Sequence, residues 1–94
     1  MGTEKIEAGM LARSLAGHDK DAYYVVWNVA DPYVWLTDGR LRPLEKPKKK
    51  KIKHIQMVYT VPENLREKLA DRESIRNEDI RRAIKLYTRS GMKE

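Results

Sequence analysis

The chain has 94 residues and a mass of 11.0 kDa, a length that supports one small domain and excludes two separate cores. Its composition, 40% hydrophobic and 36% charged, permits a packed core and argues against global disorder. The lack of cysteine excludes disulfides, thiolate metal ligands and cysteine nucleophiles. No apolar run is long enough to span a membrane and the first eight residues lack a signal-peptide stretch, so we expect a cytoplasmic protein without membrane contacts.

The positive charge is concentrated in one short stretch, residues 40–54, here called the basic segment. The formal net charge of the chain is +6, yet the basic segment holds eight lysines and arginines against one acid, Glu45. The segment therefore has a net charge of +7 and the rest of the chain has −1. This pattern indicates a polyanion-binding surface on an otherwise balanced protein. The alternatives are a solvated lysine loop or, in a eukaryotic host, a nuclear-import signal.

The first three predicted strands follow one another closely. Met10 to Leu15 is the first, and Tyr23 to Val29 is the second. The second is almost entirely β-branched or aromatic, so we expect it to be buried on both faces. Asp31 and Pro32 suit positions i and i+1 of a turn, after which Tyr33 to Thr37 forms the third strand.

Asp38 and Gly39 predict a tight hairpin, because both residues tolerate positive φ. Arg40 to Leu44 would then return as the fourth strand, with Leu41 facing the core and its two arginine neighbours facing water.

The last strand is expected within Ile52 to Val58. Ile52 and Ile55 are three residues apart and cannot share one face of a straight strand, so we expect a bulge there or a strand that starts after Lys51. About five short strands joined by tight turns predict a small, strongly curved barrel.

The pattern becomes helical from Pro62, which suits the first turn of a helix carrying Leu65 and Leu69. Asn77 is the predicted N-cap of a second helix, and Gly91 is its expected end. The apolar stripe of this second helix consists of Ile80, Ala83, Ile84 and Tyr87. These patterns predict a flexible tail (residues 1–8), a barrel (9–60) and a helical extension packed on the barrel (61–91). The alternative is that the apolar stripe of the second helix docks a partner.

No catalytic constellation is visible in the sequence. The five glycines match neither a dinucleotide-binding fingerprint nor a P-loop, and His18 and His54 lack the spacing of a zinc protease. Asp19 and Asp21 flank a lysine in a predicted loop, where carboxylates commonly satisfy turn backbone. We therefore expect no enzymatic activity, no metal and no cofactor.

Residues 9–29, GMLARSLAGHDKDAYYVVWNV, resemble a KOW motif, in which a glycine-centred loop joins two strands. The resemblance continues through PYVWLTDGRLRPLEKPKKKKIKHIQ and NEDIRRAIKLY and covers about residues 8–88. It is to the ribosomal large-subunit KOW proteins of the archaeal and eukaryotic "fourteen-e" type, and more closely to their short bacterial relatives, the KOW-domain RNA-binding proteins. The resemblance implies an SH3-like barrel followed by short helices that binds structured RNA, usually ribosomal RNA.

The same resemblance implies which residues face RNA. They are the loop residues Gly17, His18, Asp19 and Lys20, together with the cations Arg40, Arg42, Lys46, Lys48, Lys49, Lys50, Lys51 and Lys53 of the basic segment. The lysine run is expected to be solvated and to contact phosphates, and the two arginines can grip phosphate with two hydrogen bonds. Asp21 stands where KOW loops usually have glycine, so we expect positive φ there.

Aromatic residues could add base contacts. If Val34 and Leu36 fill the core, Tyr33 and Trp35 project from the opposite face, where unpaired bases could stack. Packing of one or both rings in the core is the alternative. Trp27 lies in the most apolar strand and is expected in the core.

The sequence and the resemblance therefore predict an RNA-binding protein that is associated with ribosomal RNA. Ribosomal proteins are further expected partners, and we expect a monomer when no RNA is bound. A protein-interaction module of SH3-like fold that binds acidic partners is the main alternative, because such barrels also bind extended peptides. A nonspecific binder of double-stranded DNA is the third hypothesis.

Overall fold

A computed structural model describes residues 5–91 and contains one antiparallel sheet and two helices. The strands are β1 (Leu11–Ser14), β2 (Tyr23–Ala30), β3 (Tyr33–Thr37), β4 (Lys48–Lys51) and β5 (Ile55–Val58), and their order in the sheet is β4-β3-β2-β1-β5. A short helix α1 (Glu63–Arg66) and a long helix α2 (Asn77–Gly91) follow. The first four residues of the predicted tail lie outside the described residues. Ile6, within that tail, is half-buried and packs against the sheet.

The sheet is curled, as its connections require. β4 and β5 lie at opposite edges, yet only the 3₁₀ turn Ile52–His54 joins them. The edge strands of a flat five-stranded sheet would be about 19 Å apart. The four Cα steps from Lys51 to Ile55 span at most about 14 Å, so the two edges must approach each other. The last strand lies within the predicted range but starts at Ile55, because Ile52–His54 forms the 3₁₀ turn. The predicted small barrel is supported at the level of a curled, mainly β fold.

Both faces of the sheet carry a hydrophobic core, because successive side chains of a strand point to opposite sides. The inner core, inside the curl, consists of Ala12, Tyr24, Val26, Val34, Leu36 and Ile55. The outer core, between the sheet and the helices, consists of Leu11, Val25, Leu65, Ile75, Ile80 and Ala83. The helical extension thus packs on the outer face of the curled sheet.

β2 is buried on both faces only in its first half. Tyr24, Val25 and Val26 are buried, whereas the strand is exposed from Asn28 to its end. The pairing of β2 with β3 shifts at Trp27, which is the extra residue of a bulge. Trp27 is half-buried and packs against the outer core, as expected.

The predicted fourth strand is wrong, because the chain from Arg40 to Leu44 forms a loop. One carboxylate oxygen of Asp38 accepts hydrogen bonds from the backbone N–H groups of Arg40 and Arg42 at 2.8 and 2.9 Å, which closes the loop on itself. Leu41 does not face the core and is 89% exposed. The strand that pairs with β3 is the lysine run of β4.

The turn between β2 and β3 is also placed differently from the expectation. Ala30 pairs with Tyr33, so Asp31 and Pro32 occupy the two central positions of the turn and not positions i and i+1. The Asp31–Pro32 peptide bond is cis.

The helices differ from the prediction mainly at their ends. α1 is only one turn long, and Leu69 lies in a separate 3₁₀ segment, Leu69–Ser74. α2 has the predicted apolar stripe, with Ile80 and Ala83 fully buried. The part of the chain that the structure describes contains no helix long and apolar enough to cross a membrane.

Asn77 is not the N-cap of α2 but its first residue. The carboxylate of Asp79 instead accepts the backbone N–H of Arg76 at 2.8 Å. The Asn77 side chain accepts the backbone N–H of Leu44 at 2.8 Å and donates to a Glu45 carboxylate oxygen at 3.2 Å. It therefore attaches the 38–47 loop to the helix.

Candidate nucleic-acid interface

The four lysines of β4 divide into two pairs with opposite environments. β4 pairs with β3 so that Lys48 lies opposite Leu36 and Lys50 opposite Val34, both residues of the inner core. Lys48 and Lys50 therefore point into the curl of the sheet. Lys49 and Lys51 point outward and are exposed. The alternation follows from the pleat of the strand, in which neighbouring side chains point to opposite faces.

Asp19 holds the inward lysines. One of its carboxylate oxygens lies 2.7 Å from the Lys48 ammonium, and the other lies 2.9 Å from that of Lys50. The hydroxyls of Ser14 and Tyr24 each donate to this carboxylate at 2.8 Å. Burial alone would raise the pKa of Asp19, but the four hydrogen bonds together hold it well below its usual range. Burial and the hydrogen bond to the carboxylate raise the pKa of Tyr24.

Lys50 has no donor left for a ligand. Its ammonium donates to the Ser14 hydroxyl at 2.7 Å, the Ala16 carbonyl at 3.0 Å and Asp19 at 2.9 Å, and its side chain is only 10% exposed. The expectation of a solvated lysine run is therefore wrong for Lys48 and Lys50. These two lysines and Asp19, all counted among the RNA-facing residues, form an ion cluster that joins β4 to the β1–β2 loop.

The remaining residues of the β1–β2 loop are exposed. Gly17, at φ 90°, is followed by exposed His18 and Lys20 side chains. Asp21 has the expected positive φ, 74°. Its carboxylate accepts two hydrogen bonds from the Arg13 guanidinium, at 2.7 and 3.2 Å, and these lower its pKa.

Tyr33 and Trp35 lie side by side on the outer face of β3, and neither ring belongs to a core. The Lys49 ammonium lies 4.2 Å from the centre of the Tyr33 ring and 5.9 Å from that of Trp35. Lys51 is the strand neighbour of Tyr33 on the same face. We call these four residues the aromatic-basic face. Val34 and Leu36 are fully buried on the opposite side, so the two rings project from the outer face as expected, and both are half-buried there.

A third ring lies near this face with its own cation. The Arg72 guanidinium is 4.1 Å from the centre of the Trp27 ring, and it donates to the Trp27 carbonyl at 2.7 Å. Arg72 belongs to the 3₁₀ segment before α2 and is 45 positions from Trp27. No local sequence pattern predicts this pair, because only the packing of the helical extension brings it together.

The other predicted cations are spread over loops. Arg40, Arg42 and Lys46 are exposed on the 38–47 loop, and Lys53 and His54 are exposed in the 3₁₀ turn after β4. The structure therefore does not bring the whole basic segment into one patch. It turns two lysines inward, joins two to aromatic rings and leaves the rest on separate loops.

Comparison with known proteins adds no family assignment. No protein-family model matches the chain, and no curated protein resembles it at a significant level.

Proposed function

We propose that this chain is an RNA-binding protein of the KOW type, associated with ribosomes or ribosomal RNA, and that it contacts structured RNA through the aromatic-basic face. One observation carries the proposal. Tyr33 and Trp35 lie outside both cores on one face, with Lys49 above the rings and Lys51 beside them. Such a face offers π surfaces to unpaired bases and cations to the phosphates that link them.

A base stacked on the aromatic rings is expected to be more stable there than the Lys49 ammonium. An exposed cation–π contact is worth about 0.5 to 1 kcal/mol, whereas stacking of one base on an aromatic side chain is worth about 1 to 3 kcal/mol. A base can therefore displace the Lys49 ammonium from the rings. The released ammonium then binds phosphate, so its charge is kept in the complex.

Exposed cations on separate loops add to the electrostatic attraction for RNA. They are Lys20, Arg40, Arg42, Lys46 and Lys53. Phosphate contacts release counterions, so log affinity falls linearly with log salt, with a slope of about −0.7 to −0.9 for each contact. We place Lys48, Lys50 and Asp19 outside the RNA contacts, because both lysines form salt bridges with Asp19.

The test compares Trp35→Ala with Trp27→Ala, using a fluorescein-labelled RNA hairpin with a long unpaired loop and a fully paired RNA of equal length. Trp35→Ala is expected to weaken hairpin binding by about 1 to 3 kcal/mol, with little effect on the paired RNA and little change in melting temperature. Trp27→Ala is the matched control and should melt much lower, because Trp27 packs on the outer core. Unchanged hairpin affinity in the Trp35→Ala variant would contradict base stacking.

The alternative, a module that binds an acidic protein, is favoured by a different feature. Leu41 is 89% exposed between Arg40 and Arg42, and an apolar side chain flanked by two cations suits an acidic peptide. Purification from the native cell separates the two proposals. Ribonuclease, but not deoxyribonuclease, should remove the bound material if it is RNA, whereas a protein partner would survive both enzymes.

A further inference from the structure

An open cleft of about 610 Å³ lies between α2 and the 38–47 loop. Its cationic lining comes from both sides. Arg40 lies on the loop, and Arg81, Arg82 and Lys85 lie on the helix. Residues 80–91 contain four basic residues and no acid, a signal that the larger charge of the basic segment obscures.

The loop is held against the helix by short contacts. Arg81 donates to the Gly39 carbonyl at 2.7 Å. A Cβ atom at Gly39 would lie 2.5 Å from the Asn77 carbonyl oxygen and 2.9 Å from Arg81 Cγ, so only glycine fits there. Asn77 holds the far side of the loop through the backbone N–H of Leu44. Hydrogen bonds and close packing therefore fix both walls of the cleft relative to each other.

The cations of the cleft are available to a ligand. Within residues 5–91, no carboxylate lies within 4.0 Å of the charged groups of Arg40, Arg82 or Lys85. The one acid that lines the cleft, Asp38, uses a carboxylate oxygen for two backbone N–H groups of its own loop. Lys48 and Lys50 offer the contrast, because both of their ammonium groups form salt bridges with Asp19.

The arrangement of these cations suits a chain of phosphates. Arg82 and Lys85 are three residues apart in α2, so they project from the same side of the helix. The helix carries Arg89, also exposed, one turn beyond Lys85. Arginine can bind a phosphate with two hydrogen bonds, and lysine adds a mobile point charge.

We propose that this cleft is a second RNA-binding site, in which Arg40, Arg82 and Lys85 bind backbone phosphates while Arg81 positions the loop. The inference rests on the proposed function, because it assigns the cleft to the same RNA that the aromatic-basic face contacts. Contacts here are to phosphate and not to bases, so this site adds affinity and orientation without sequence preference.

The experiment compares four double variants by fluorescence anisotropy with the labelled hairpin RNA over a range of salt concentrations. Arg82→Gln/Lys85→Gln removes two cleft cations, and Lys49→Gln/Lys51→Gln removes two cations of the aromatic-basic face. Lys5→Gln/Arg66→Gln is the charge-matched control, since both residues are exposed and neither lines the cleft. The charge-preserving variant Arg82→Lys/Lys85→Arg completes the set.

The cleft variant is expected to lower affinity about tenfold or more near 0.1 M salt and to flatten the log–log salt slope by about one and a half. The Lys5/Arg66 control and the charge-preserving variant should keep the parental slope. If the cleft variant keeps that slope while the Lys49/Lys51 variant flattens it, the cleft proposal is overturned and the proposed function stands. If the parent chain does not bind the hairpin, both proposals fail.

Discussion

The inward and outward lysine pairs of β4 are chemically identical and adjacent in the chain, yet they have opposite roles in the structure. Lys48 and Lys50 are partly buried ion partners of Asp19, whereas Lys49 and Lys51 are exposed beside aromatic rings. The difference arises from the pleat and from the register with β3, neither of which is visible in a count of charges. Charge density along a sequence therefore overstates how many cations are free to bind a polyanion.

The comparison also explains how a run of four lysines can form a strand. Lysine has low strand propensity, and β4 lies at an edge of the sheet. Asp19 offsets one of the two charges that point inward, and the outward charges protect the edge from pairing with another chain.

The largest expected effect comes from removing the partner of the inward pair. Asp19→Asn leaves Lys48 and Lys50 partly buried without a counter-charge, so we expect the free energy of unfolding to fall by about 2 to 4 kcal/mol. Urea denaturation measures the loss. Asp21→Asn, which breaks the exposed ion pair with Arg13, is the control and should have a much smaller effect. Equal losses of unfolding free energy in the two variants would show that the Asp19 cluster stabilises the fold no more than an exposed ion pair does.

The two lysine pairs themselves give the next largest effect. Lys48→Gln/Lys50→Gln should lower the free energy of unfolding by about 1 to 3 kcal/mol, because Asp19 keeps only its hydroxyl partners. Lys49→Gln/Lys51→Gln should change stability by less than about 0.5 kcal/mol while weakening RNA binding. Urea denaturation and RNA titration of both variants measure these effects. If the Lys49/Lys51 variant lost stability and the Lys48/Lys50 variant did not, the assignment of inward and outward lysines would be refuted.

The pH dependence of stability offers a third test of the inward cluster. The pKa of Asp19 is lowered in the folded state, so its stabilisation is fully present above the unfolded carboxyl pKa of about 3.9 and is lost as pH falls through the folded value. Stability of the parent chain should therefore decrease steeply as pH is lowered below about 4. The Asp19→Asn variant should show a shallower decrease when both are followed by urea denaturation, and parallel curves would contradict this role of Asp19.

The smallest effect on stability is expected at Asp21, the exposed one of the two aspartates of the β1–β2 loop. Asp21→Gly relieves the positive φ of 74° but loses the Arg13 ion pair, so the two effects oppose each other and stability should change little. Asp21→Val should be clearly destabilising, because a β-branched residue fits positive φ poorly. Chemical denaturation of both variants decides the matter, and a tolerated valine would show that backbone geometry does not select the residue here.

Much of the fold could be predicted because its signals are local. The first three strands begin and end within one residue of the stretches predicted for them. The apolar stripe of α2 was also predictable from residue type and spacing, and the positive φ of Asp21 from the resemblance to KOW loops, which usually have glycine there. The error at Arg40 to Leu44 arose because Asp38 and Gly39 signal a tight hairpin, whereas hydrogen bonds to Asp38 and contacts with α2 hold a longer loop.

The sequence by itself determined the positions of the first three strands, the apolar stripe of α2 and the total positive charge of the chain, since these depend on each residue and its near neighbours. Only the tertiary structure decided which charges are free. Asp19 reaches Lys48 across 29 positions, Arg72 reaches Trp27 across 45, and Arg81 reaches Gly39 across 42. Such pairings depend on strand register and on the docking of the helices, which a local pattern does not encode. The same basic residues are consequently divided between an internal ion cluster, an aromatic face and a cleft.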